Sequence, residues 1–277
     1  MAQNDHDDPV FARYRVAPGG KGIALAAVDP QERTCFADRK AAEAAFKEDV
    51  AAIVDIQNAF YACARKALLC IFQAMDAGGK DGTVRKVFGP VNPAGVRVTS
   101  FKKPSDEELA HDYLWRIHKA VPPRGMIGVF NRSHYEDVLV AKVFDLAPAA
   151  RIEERYEQIN AFERHLVEND VIVLKLFLHI SKNEQKARFQ ERLDEPHKHW
   201  KFNPADIEVR RRWDDFQAAS ELAIKRCSTE RAPWYVIPAN RNWYRNACVA
   251  RIVRAAIEAS EPSWPALDVD MSGIVIE

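Results

Sequence analysis

With 277 residues, 47% apolar and 29% charged, the chain can bury a sizeable core and has the composition of an ordinary globular protein. Its 40 basic and 40 acidic residues cancel, so global charge gives no reason to expect a nucleic acid or a membrane as partner, and any anionic ligand must be held by local charge. The start, MAQNDHDDPV, is polar and acidic and so does not read as a secretory signal, and the most apolar stretch, 171–180, is too short to span a bilayer and contains Lys175.

Residues 1–37 include PGGKG and show little periodicity, which predicts an extended N-terminal arm ahead of a single domain at 38–277. Asp38 can cap a helix to about Arg65 that carries Ile53, Ile56 and Phe60 on one face. Leu68-Leu69-Cys70-Ile71-Phe72 is short and apolar enough for a buried strand, and it leads directly into a loop at 75–82 and a further helix. Gly89-Pro90 and Asn92-Pro93 break the chain before a strand at Val96 to Phe101. Ser105 with Glu108 forms a capping box, and Leu109, Tyr113 and Ile117 predict one continuous helix after it. A third strand is expected at Met126 to Phe130, then a long helix through Ile152, Tyr156, Ile159, Phe162 and Leu166. Val171 to Ile180 gives a fourth strand, Ser181 with Glu184 caps the next helix, Pro233 to Ile237 gives a fifth strand, and a last helix runs from about Asn240 to Ala259. Strands alternating with helices predict an α/β fold with a five-stranded, mostly parallel sheet covered on both faces.

Cys35, Cys63, Cys70, Cys227 and Cys248 show no C-x-x-C pairing and no zinc spacing, which predicts reduced thiols and a cytoplasmic protein. His197 and His199 lack an identifiable third ligand and read as a surface turn, not a metal site.

The chemistry concentrates in three places. Gly78-Gly79-Lys80 closes a loop between a buried strand and a helix, where backbone N–H groups can approach phosphate oxygens and Lys80 can reach outer phosphates as a point charge. Ala74 replaces the first glycine of the usual P-loop pattern, Asp81 stands where a metal-binding hydroxyl belongs, and Thr83 offers a hydroxyl close by. Asp76 suits such a loop only if it binds a metal or orients a nucleophilic phosphate; an exposed Gly/Asp/Lys turn is the plain alternative. The third strand ends in Phe130-Asn131-Arg132-Ser133-His134-Tyr135-Glu136-Asp137, which should lie beside that loop, with Arg132 suited to bidentate phosphate contact. The third place, 181–212, holds nine Lys and Arg residues with Glu and Asp among them, and reads as a basic flap over a phosphate site or as a solvated helix face.

Phe72 to Lys86, Phe130 to Asp137, the run Glu184 to Arg192, His199-Trp-Lys-Phe-Asn-Pro204, Arg211-Arg-Trp213 and Ala232-Pro-Trp-Tyr-Val236 together resemble the polyphosphate kinase type 2 family, over nearly the whole chain from about Tyr14. The resemblance implies a thymidylate-kinase-like P-loop kinase fold, a three-layer sandwich with a helical lid at about 181–212. It implies magnesium- or manganese-dependent phosphoryl transfer between inorganic polyphosphate and AMP, ADP or ATP, by a homo-oligomer. It casts Asp76, Lys80 and Arg132 as catalytic, with Asp76 also the metal ligand. Ala77, Gly78, Gly79, Asp81, Gly82, Thr83, Lys86, Arg188, Arg192 and Lys198 would bind phosphate, and Asn131, Ser133, Glu136 and Asp137 the nucleotide. Asn131 with Tyr135-Glu136-Asp137 resembles the class III subgroup, which phosphorylates both AMP and ADP. An ATP-dependent nucleoside monophosphate kinase and a non-catalytic polyanion-binding module are the alternatives.

Overall fold

A computed structural model describes residues 9–266 and residue 276; the first eight residues of the expected arm lie outside them. Five strands, β1 (Ala67–Ala74), β2 (Val96–Ser100), β3 (Ile127–Asn131), β4 (Val171–His179) and β5 (Trp234–Pro238), form one sheet in the order β2-β3-β1-β4-β5. Every pairing is parallel, as the apolar runs require when helices cover both faces. β1 lies at the centre with nearly every residue buried, whereas edge strand β2 is largely exposed. The register pairs Phe72 with Asn131 and Ala74 with Leu178, so the loops after β1, β3 and β4 emerge at one sheet edge. Ligands bind there in open α/β sheets.

Helix α1 (Pro9–Tyr14) begins the described chain, so the arm is not simply extended. Val10, Tyr14, Val16 and Leu25 are buried. Arg15 bridges Tyr235 antiparallel, and Val16 N–H donates to the Trp234 carbonyl at 2.8 Å, which protects the free edge of β5. Helix α2 (Arg39–Cys63) is capped by Asp38, whose side chain accepts from Ala41 N–H at 2.8 Å, as expected. α3 (Lys80–Phe88) follows the loop after β1.

The single helix expected after Ser105 is two, α4 (Asp106–Leu109) and α5 (Trp115–Ala120). The capping box forms, but Asp112 accepts from Leu114 N–H at 3.0 Å in a turn, and Leu109 stays 64% exposed, so no buried stripe holds the two segments together. The remaining helices are α6 (Glu136–Val143), α7 (Ala149–Glu168), α8 (Lys182–Asp194), α9 (Ala205–Arg211), α10 (Trp213–Cys227) and α11 (Asn242–Glu258). Helices α8 and α9, joined by a short 3-10 turn at Pro196–Lys201, make up the basic segment. Among the described residues no helix is long and apolar enough to cross a membrane.

Candidate active site

The loop from Ala74 to Gly79 is shaped by its small residues. Gly79 takes φ +93, and a side chain there would meet the Arg245 guanidinium; one at Gly78 would meet Ala74 and the Met75 carbonyl. Ala77 also adopts a left-handed conformation (φ 59), which disfavours a residue with a Cβ by roughly 1–2 kcal/mol. Lys80 opens α3 and is 9% exposed; its Nζ donates to the Ala74 carbonyl at 2.9 Å and closes the loop. Burial pushes its pKa down, with Asp76's charge opposing.

Arg132, immediately after β3, is the second non-glycine left-handed residue of the site (φ 64). That backbone turn lets Nη2 donate to Asp76 Oδ1 at 3.0 Å, while its N–H donates to the Phe72 carbonyl at 3.1 Å. Despite burial, the carboxylates of Glu136 and Asp76 hold its pKa up. Glu136 itself is pushed up by burial, with Arg132 and Lys80 pulling the other way. Asn131 Nδ2 donates to Asp81 Oδ1 at 2.6 Å, bridging the two loops.

The basic segment closes over this edge. Arg188 donates to the carbonyls of Ala77 (2.8 Å), Ala239 (2.8 Å) and Asn240 (3.1 Å), and to Glu184 Oε1 (2.8 Å). Gln185 Nε2 reaches the Asp76 carbonyl at 3.0 Å. Arg192 is held by Asp206 Oδ2 at 3.2 Å, and Lys198 by Glu191 at 2.5 Å and Glu195 at 2.9 Å. This basic segment is therefore pinned to the loop through backbone carbonyls.

Two cavities meet here. The first, about 520 Å³, is lined by Asp76 to Gly82, Asn131 and Arg132, by Arg188, Arg192, Lys198 and Lys201 from the basic segment, and by Lys102 and Arg245. The second, about 250 Å³, has walls of Leu139, Val140, Phe144, Phe177, Val209 and Phe216. Both cavities share Asp76, Arg132, Asn203 and Asp206.

Most of the expected phosphate ligands therefore line one cleft. Lys86 does not: it lies exposed further along α3. Thr83 is buried, and its hydroxyl is committed to the Gly79 carbonyl (3.1 Å) and Asn246 Oδ1 (3.2 Å). Of the expected nucleotide ligands, Glu136 lines the smaller cavity and Asn131 the larger. Ser133 is fully buried, where its hydroxyl accepts from Gln73 Nε2 at 3.3 Å and Tyr135 N–H at 3.2 Å. Asp137 sits 3.9 Å from Arg155, and burial raises its pKa; neither Ser133 nor Asp137 lines a cavity here.

Arg245 was missed. It is 2% exposed and reaches the loop from α11; its bonded acceptors are amides, Asn242 Oδ1 at 2.8 Å and Asn246 Oδ1 at 3.0 Å. Burial, then the like charge of Arg188, pushes its pKa down to about 9. A guanidinium so placed is stabilised by an anion entering the cleft. The signal was an arginine, one of two with Arg251, within the otherwise largely apolar stretch Trp243 to Val253.

A β2-β3-β1-β4-β5 parallel sheet, with a glycine loop, a lysine and converging arginines at its carboxyl edge, defines a P-loop phosphotransferase. The polyphosphate kinase 2 family model matches residues 36–265. The AMP/ADP-polyphosphate phosphotransferase of Meiothermus ruber is 49% identical over 266 residues, covering 96% of this chain and 99% of that protein. The ADP-polyphosphate phosphotransferase of Rhodopseudomonas palustris is 42% identical over 79% of this chain and 80% of its own length. The crystal structure of polyphosphate kinase 2 from Arthrobacter aurescens TC1 superposes with a TM-score of 0.89 at 41% identity, covering 93% of this chain and 95% of that one. The chain belongs to the polyphosphate kinase 2 family.

Proposed function

We propose that this protein transfers the terminal phosphoryl group of inorganic polyphosphate to ADP and to AMP. The observation that carries the proposal is the meeting of two chemically distinct cavities at Asp76 and Arg132. The larger, ringed by cations, suits a linear polyanion; the smaller, walled by Phe144, Phe216 and aliphatic side chains, suits a nucleoside. The relative from M. ruber, named for both AMP and ADP, supports the pair of acceptors.

In the proposed reaction, an oxygen of the nucleotide's terminal phosphate attacks the terminal phosphorus of polyphosphate in line. That oxygen–phosphorus bond forms as the bond from the terminal phosphorus to the bridging oxygen breaks, and the shortened chain leaves with the electron pair on that oxygen. The attacking oxygen is already anionic, so no general base is required. Lys80, the loop N–H groups and Arg245 hold the donor end, while Arg132, fixed by Asp76, lies between donor and acceptor.

Magnesium or manganese belongs to the same proposal. Among the described residues no three His, Cys, Asp or Glu gather as a metal cluster. A hard ion held through one or two carboxylates plus phosphate oxygens and water needs no such cluster, and Asp76 and Asp81, both lining the cleft, are suitable oxygen donors. When bound, the ion would neutralise charge on the transferring group. A cytoplasmic setting is supported by the five free cysteines.

The test is turnover by purified protein with magnesium and long-chain polyphosphate, with AMP and ADP supplied separately. ADP from the first and ATP from the second, both only with polyphosphate, are expected. Activity with ATP plus AMP, and none with polyphosphate, would replace the proposal with a conventional nucleotide kinase.

A further inference from the structure

A third cavity, about 400 Å³, lies beside edge strand β2. Five cationic side chains line it, Arg97, Lys102, Lys103, Arg116 and Lys119, against the single carboxylate of Glu108. That carboxylate is already committed: Oε2 accepts from Ser105 N–H at 2.9 Å and faces Arg116 Nη1 at 3.5 Å. Arg116 is further fixed by donating to the Lys102 carbonyl at 2.9 Å. Among the described residues, Arg97, Lys102, Lys103 and Lys119 make no ion pair with a carboxylate. A basic group of this kind repels itself unless an anion lies across it.

The cavity adjoins the phosphate cleft, because Ser100, Phe101 and Lys102 line both. We propose that it is a docking track for the distal part of a long polyphosphate chain whose reacting end lies in the cleft. The proposal rests on the polyphosphate reading above and extends it to substrate length. A linear chain of phosphates is the anion that can occupy both cavities at once. Single-stranded nucleic acid fits less well, because it needs exposed aromatic faces for its bases. Trp115, next in sequence to the cavity-lining Arg116, has its ring stacked by His111 at 4.0 Å and covered by the Lys119 ammonium at 3.9 Å.

The experiment compares the parent with an Arg97→Ala/Lys103→Ala/Lys119→Ala variant, using long-chain polyphosphate and linear hexaphosphate as donors. Lys102 is left intact because it also lines the cleft. KM for the long chain should rise roughly tenfold, the size expected of three screened cation–phosphate contacts, and depend less on salt than in the parent. The hexaphosphate KM, the nucleotide KM and kcat should not change. An unchanged long-chain KM, or equal losses for both donors, would overturn the proposal. A single-stranded oligonucleotide that displaced labelled long-chain polyphosphate at equal phosphate concentration would also overturn it, by assigning the track to nucleic acid. Equilibrium binding of labelled long-chain polyphosphate to both proteins separates this outcome from failure of the reaction itself. A parent without turnover refutes the proposed function, whereas equal binding by parent and variant refutes the track.

Discussion

Lys175 and Lys80 are both buried lysines, and their surroundings differ in one respect: Lys175 is satisfied within the fold, whereas Lys80 faces the candidate site. Lys175, in the middle of β4, is fully buried and saturated: Nζ donates to Glu163 Oε2 at 2.5 Å, the Cys227 carbonyl at 2.5 Å and Tyr135 Oη at 3.1 Å. Glu163 in turn accepts from Tyr135 Oη at 2.7 Å and faces His134 Nε2 at 3.3 Å. Lys80, at the sheet edge, has one backbone carbonyl, and its carboxylate neighbour Asp76 is bonded to Arg132. Arg245 beside it has only amide oxygens. The interior satisfies its cation from within the fold, whereas in the cleft Lys80 and Arg245 are bonded only to carbonyl and amide oxygens and face the space a ligand would enter.

If that distinction holds, removing one member of the inner pair damages the fold most. Lys175→Met leaves Glu163 buried without its cation and should destabilise by roughly 3–5 kcal/mol in denaturant melts. Adding Glu163→Leu should recover a large part of that loss; no recovery would break the description of the pair as a unit. In the cleft the next largest effect is kinetic. Lys80→Ala should fold normally yet lower kcat by about 10²–10³, as losing a preorganised charge contact does. Arg245→Met sharpens the contrast. Without ligand it should be at least as stable as the parent, but stabilisation by saturating tripolyphosphate should fall by about 1.5–3 kcal/mol in thermal melts.

The smallest effect is on pH dependence. Glu163 is pushed up by burial but held below the ordinary range overall by Lys175 and His134. It therefore binds fewer protons folded than unfolded, so its contribution is complete above about pH 4.3 and is lost as pH falls through the depressed folded value. The stability difference between the parent and Glu163→Gln should stay constant from neutrality to about pH 5 and shrink below about pH 4. A difference that did not shrink would mean that the carboxylate charge is not what the pair uses.

The cleft was more legible in the sequence than the inner pair. Strand, glycine loop and lysine occur consecutively at 67–80, and each local signal agrees with the fold, so β1, α3 and the loop fell where expected. Arg132 and the arginines of the basic segment were readable because they follow a strand end or cluster in sequence. Lys175 appeared only as an interruption in an apolar run, since its acceptors lie on α7 (Glu163), ahead of α6 (Tyr135) and at the end of α10 (Cys227). Arg245, Asn203 and Asp206 stayed hidden for the same reason: what makes them site residues is proximity across the sheet edge. α10 carries a helical signal of its own, Phe216, Ala219 and Ala223 at spacings of three and four, all buried. Conversely, the capping box at Ser105 was real but nucleated only one turn, because capping cannot substitute for a buried face.

The most direct test of the account follows ATP formation in a single turnover, by the parent and by Lys80→Ala side by side, with long-chain polyphosphate, magnesium and ADP. Rapid ATP formation by the parent, and formation slowed by about a hundredfold or more in a variant with unchanged melting behaviour, is the predicted result. Equal rates in the two proteins would contradict the claim that the open cleft, through Lys80, carries the phosphoryl transfer.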